Sequence, residues 1–177
     1  MCIRDSSELS TLNPEVERAL FVALDDPYFE VRSQAARALA TLGSKLRGAA
    51  AEEAAVRVTR LIRDRNFEVA RDGVRALGQL ALDAETALPA LKALHYHRNW
   101  QVRDALIGAY RRLYERGILR DRDQMLAILD DVLITTEGFR PLFPLKQNVQ
   151  RFRNHLENGG SPAVDSAQRA EEGEASA

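Results

Sequence analysis

Cysteine is almost absent from this chain: of 177 residues, only one is cysteine, Cys2. A lone thiol excludes an internal disulfide and any site built on several cysteines. Histidine is scarce too, with three residues: His95, His97 and His155. His95 and His97 stand two apart, so on a helix they point to different faces. A metal site needs about three converging protein ligands, and no such pattern is present. His95 aligns with the apolar Leu24 and Ile62 of the neighbouring repeats, so it reads as a satisfied core histidine. Apolar residues never run the roughly 18 positions that a membrane helix requires. No charged-then-apolar signal segment opens the chain, so either a cytoplasmic protein without membrane contact is expected or the true start is missing. Phosphate loops of GxxxxGK[ST] spacing and nucleophile elbows of GxSxG spacing are also missing. The sequence therefore leads to the expectation of no cofactor, no catalytic residue and a non-enzymatic role.

A dominant charge is lacking as well. Lysine plus arginine number 25 against 26 acidic residues. Between Pro14 and Glu157 the net is +3, and from Asn158 to Ala177 it is −3. A body of +3 argues against nucleic acid as the partner, since such proteins carry a much stronger basic bias. Arginine outnumbers lysine 22 to 3. That skew suits fork-like ion pairs on helices, and a GC-rich genome would produce it equally. The carboxylate neighbours Asp25-Asp26, Glu52-Glu53 and Asp130-Asp131 read as solvated groups near helix ends or on polar faces.

What the chain does have is self-similarity, which decides the fold of a repeat protein. Asp26-Pro27-Tyr28-Phe29-Glu30-Val31-Arg32 aligns with Asp64-Arg65-Asn66-Phe67-Glu68-Val69-Ala70 and with His97-Arg98-Asn99-Trp100-Gln101-Val102-Arg103. The aromatic residues Phe29, Phe67 and Trp100 lie 38 and 33 residues apart, a period that suits a two-helix repeat. They are expected to anchor the repeats, with Tyr96 and Tyr110 either packing in the core or extending an aromatic patch. Apolar residues before and after each anchor recur every three to four positions, as in Val31, Ala35, Leu39 and Leu42, which puts them on one helix face. Asn13-Pro14 and Asp83 read as helix starts, and Gly117 as a helix end. Pro89 falls inside the fifth helix and should bend it.

The expected fold is all-α, a right-handed α-solenoid of about four stacked antiparallel helix pairs, eight helices in all. The repeats span approximately 14–43, 50–82, 84–117 and 121–157. The segment 1–13 before them is expected to be disordered or artefactual, and 158–177 to be a flexible acidic tail. The fourth repeat is irregular. Its loop from Thr135 to Pro144, with Phe139, Pro141 and Phe143, either caps the core or docks a partner. The opening Met1-Cys2-Ile3-Arg4-Asp5-Ser6 resembles translated sequencing-adapter residue from environmental contigs, which implies a longer natural protein. An ordinary disordered N-terminus is the other reading.

The Asp-Pro-x-x-x-Val-Arg pattern at Asp26–Arg32, followed by small residues and leucines to Leu42, resembles the HEAT family, including its bacterial PBS-lyase-like subgroup. The resemblance implies an Asp–Arg ladder between neighbouring repeats. Here it is incomplete, because Ala70 stands for the arginine and His97 for the aspartate. It also implies a protein–protein interaction scaffold whose second helices face the partner. On those helices Arg37 and Arg75 align, Arg71 lies beside them, and Arg111 and Arg112 stand one turn on in the third repeat. These five are the candidate partner-binding residues, a basic stripe for an acidic protein segment or phosphates. A solvated face with intrahelical pairs is the alternative. The wider family also includes DNA-binding glycosylases and helical appendages of lyases and peptidases. The His-Glu pairs of its iron-binding hydroxylases are absent.

Overall fold

The computed structural model describes residues 12–136 and 144–160. Met1–Ser6, the loop residues Phe139, Pro141 and Phe143, and the tail from 161 lie outside these. Among the described residues the chain is all-helical, with eight α-helices and no strand. The chain divides into two compact units, Met1–Leu80 and Ala81–Ala177.

The first unit holds α1 (Pro14–Leu24), α2 (Phe29–Leu42), α3 (Gly48–Leu61) and α4 (Phe67–Leu80). α1 starts where the sequence indicates: Asn13 accepts from the Glu15 N–H, and Pro14 takes the first helical position. α1 pairs with α2, α3 with α4, and α2 packs along α4. Leu39, Val58, Val69, Val74 and Leu77 form a fully buried centre. Small residues bring the helices close. A Cβ added to Gly73 would lie 3.1 Å from the Ile62 nitrogen and from Leu61 Cβ. α1 is barely covered: Leu24 is buried, whereas Val16 and Val22 are 41% and 70% exposed.

The second unit holds α5 (Ala84–Lys92), α6 (Trp100–Glu115), α7 (Arg122–Thr135) and α8 (Leu145–Glu157). Asp83 caps α5 by accepting from the Thr86 N–H, and the helix runs through Pro89. Gly117 ends α6 at φ +68°, a left-handed conformation, and the Ile118 and Leu119 N–H groups return to the Leu113 carbonyl. α8 packs against both α6 and α7, burying Leu145, Val149, Phe152 and Leu156.

The aligned aromatics depart from the expected anchor role. Phe29, Phe67 and Trp100 each begin a second helix, but none is buried, and Phe67 is 37% exposed. The first position of a helix overlies the hairpin turn. The core is filled two turns later by Ala36, Val74 and Ile107. Tyr110 is buried, while Tyr96 is 75% exposed.

Candidate functional site

The second helices α2 and α4 carry the candidate stripe. Arg37 and Arg75 each lie eight positions beyond the helix-opening phenylalanine, so they occupy equivalent places on two packed helices. Arg37 is exposed and forms no ion pair among the described residues. Arg71 and Arg75 both turn to Asp72, a residue the sequence reading did not single out. Asp72 is fully buried. Its Oδ1 accepts from Arg71 Nε at 2.9 Å and from Arg75 Nη1 at 3.1 Å. Its Oδ2 accepts from Arg71 Nη2 at 3.1 Å and from the Ser33 hydroxyl of α2 at 2.8 Å.

Burial alone would push this carboxyl up. The Arg71 and Ser33 hydrogen bonds and the two guanidinium charges overcome it and hold the group below the usual carboxylate range. The same pairing raises Arg71. The α2–α4 face therefore combines three guanidiniums with the buried Asp72 and the nearby Glu68, beside the exposed Gln34 and Thr41. A signal for Asp72 was present: Val69 and Ala76, at i−3 and i+4, are both buried, which places Asp72 on the buried stripe.

Arg111 and Arg112 stand on α6 of the second unit. Arg111 is held by Glu115 at 2.7 Å, an exposed pair one turn apart, and Arg112 is exposed.

Among the described residues the ladder shows one complete rung. Arg32 donates from Nε and Nη2 to the two Asp64 oxygens at 2.9 and 3.2 Å, and from Nη1 to the Asp26 and Pro27 carbonyls. At the next arginine position, Ala70 has nothing to donate. In the third repeat, Arg103 donates to the Thr135 hydroxyl at 2.7 Å. His97 replaces aspartate without loss of the turn. Asp26 and Asp64 accept from the N–H two residues on, and His97 Nδ1 accepts likewise from Asn99 at 3.1 Å.

The carboxylate neighbours do more than meet solvent. On the α1–α3 side, Arg57 pairs with Asp25 at 2.6 Å and Glu53 at 2.7 Å, and lies over the Phe21 ring. These residues, with Arg18 and Val22, line an open groove of about 620 Å³ whose charges largely answer one another. Asp130 accepts from Arg153, and Asp131 from His95. His95 is buried with both ring nitrogens hydrogen-bonded, as its core position suggested. Among the described residues no three His, Cys, Asp or Glu side chains converge to hold a metal ion. None of the helices described is long and apolar enough to cross a membrane.

No curated protein and no solved structure matches the chain. The family model described as HEAT repeats matches residues 17–111, more than half of the 177. That stretch runs from α1 to α6 and contains the Arg32–Asp64 rung, and the chain belongs to the HEAT-repeat family.

Proposed function

We propose that the chain is a non-catalytic protein–protein interaction scaffold that receives an acidic segment of a partner protein on the α2–α4 face. The observation that carries this reading is the excess of guanidinium there. Arg71 and Arg75 both pair with the buried Asp72, Glu68 adds a second negative charge near Arg71, and Arg37 stands exposed at the equivalent place on α2. Asp72 fixes Arg71 and Arg75 in place, so less side-chain freedom is lost on binding. A guanidinium has five N–H donors, so Arg37 and Arg75 can present several to a partner's carboxylates. No catalytic residue, cofactor or metal enters this reading, and the residue chemistry favours carboxylates on a protein over a nucleic-acid backbone. A DNA-binding surface would require a broader basic field than these three groups supply.

The test is titration of a fluorescent glutamate-rich peptide into the full chain and into the Arg37→Glu/Arg75→Glu variant. The double reversal should weaken binding at least about tenfold, equivalent to about 1.4 kcal/mol, with the helical circular dichroism unchanged. Equal affinity in the two proteins would remove the face from consideration.

A further inference from the structure

In the turn after α5, His95 is 1% exposed and sits between α6 and α7. Its Nδ1 lies 2.5 Å from Asp131 Oδ2 on α7, and its Nε2 lies 2.7 Å from the Tyr110 hydroxyl on α6. The Tyr110 ring meets the imidazole edge-on at 5.7 Å. The chemistry of the partners fixes the protons. An ionised carboxylate only accepts, so Nδ1 carries the hydrogen. Nε2 of the neutral ring then has a lone pair, and Tyr110 donates to it. Tyr110 is fully buried, and this is its sole hydrogen bond among the described residues.

A proton arriving from solvent at Nε2 makes both ring nitrogens donors. The Tyr110 hydroxyl oxygen can accept from the new N–H, but its own hydrogen then has nowhere to go. A buried hydroxyl that cannot donate is costly. The charges around the ring are divided. Asp131, itself half-exposed, favours the imidazolium, whereas Lys92 on α5 and Arg103 on α6 oppose it.

We propose that His95 is an acid-sensitive lock of the second unit: protonation at Nε2 displaces the Tyr110 hydrogen bond and loosens the α5–α6 turn from α6 and α7. The lock is independent of the α2–α4 face. Burial, opposed by Asp131, holds the imidazole below its ordinary value. As pH falls, the unfolded chain therefore takes the proton first. The lock is complete above the ordinary imidazole value of about 6.5 and its contribution declines below it.

Trp100, the only tryptophan, opens α6 and so reports on this unit. Thermal unfolding of the full chain followed by its fluorescence should show the midpoint falling by about 3–6 °C between about pH 7.5 and pH 5. His95→Gln keeps an acceptor for Tyr110 and cannot titrate, so its midpoint should hold nearly constant. His97→Asn preserves the Asn99 contact and should retain the fall. Proton magnetic resonance of the wild-type imidazoles gives an arm free of folding risk, with His95 titrating below the ordinary value. An equal fall in His95→Gln, its disappearance in His97→Asn, or titration of His95 at or above the ordinary value would each overturn the lock.

Discussion

At the scale of single residues, the buried ionic groups separate what pattern can reveal from what it cannot. The family resemblance implied an Asp–Arg ladder between neighbouring repeats, and Arg32 and Asp64 meet with both guanidinium–carboxylate bonds formed. The core position of His95 was also legible, because it aligns with Leu24 and Ile62, both buried. Its partner Asp131 was not, since it lies 36 residues away and only packing brings it near. Asp72 was missed although its neighbours in the helix were apolar. Polar residues inside a stripe are easily read as exposed when their partners, here Ser33 and Arg75, sit on another helix or turn. Truncating Asp72 to alanine should cost about 2–4 kcal/mol, because Ser33 and Arg71 lose their acceptor in a dry setting. Urea unfolding measures it, and a loss below about 0.5 kcal/mol, the scale of an ordinary surface change, would refute the structural role. The sign of the pH dependence follows from the lowered carboxyl. Its contribution is present above the ordinary carboxylate range and is lost as acid protonates the folded group, so Asp72→Ala should flatten the acid limb of the stability curve. Arg32→Ala removes four part-buried or exposed donor contacts and should cost about 1–2 kcal/mol in the same measurement.

At the scale of elements, helix boundaries were legible where one residue type carries the chemistry. Asn13, Asp83 and Gly117 do what their side chains, or the lack of one, dictate. The aligned aromatics misled for a positional reason. A residue that recurs at the first position of each second helix marks the turn, and burial begins only after the chain has entered the pair. Gly117 and α8 give two tests. Gly117→Ala places a Cβ in the left-handed region and should cost about 1 kcal/mol. Removing the chain from Leu145 onward takes away four buried side chains and uncovers the faces of α6 and α7 that α8 meets. Each such side chain contributes about 1.5–3 kcal/mol when fully buried. The truncated protein should therefore lose cooperative unfolding as read by Trp100. A sharp transition at an unchanged midpoint would show that α8 is dispensable to the second unit.

At the scale of the whole molecule, net charge is a poor guide to the partner. The chain carries −1 overall, yet the α2–α4 face concentrates Arg37, Arg71 and Arg75. The field a ligand meets at close range is that of the face, because charges beyond about 8 Å are screened at physiological ionic strength. Binding of an acidic segment through exposed guanidiniums should accordingly be strongly salt-dependent. Its affinity for the glutamate-rich peptide should fall several-fold between about 50 and 300 mM salt, because screening acts chiefly on exposed charges. Apolar docking on the uncovered α1, where Val16 and Val22 are exposed, would behave oppositely and persist or strengthen with salt. The salt series thus discriminates between the two surfaces without a variant. A duplex DNA competitor adds the remaining distinction. It should displace the peptide poorly, since three guanidiniums on one face neutralise few phosphates and the counterion release that drives DNA binding scales with that number. Salt-independent binding would shift the partner from the arginine face to the apolar one.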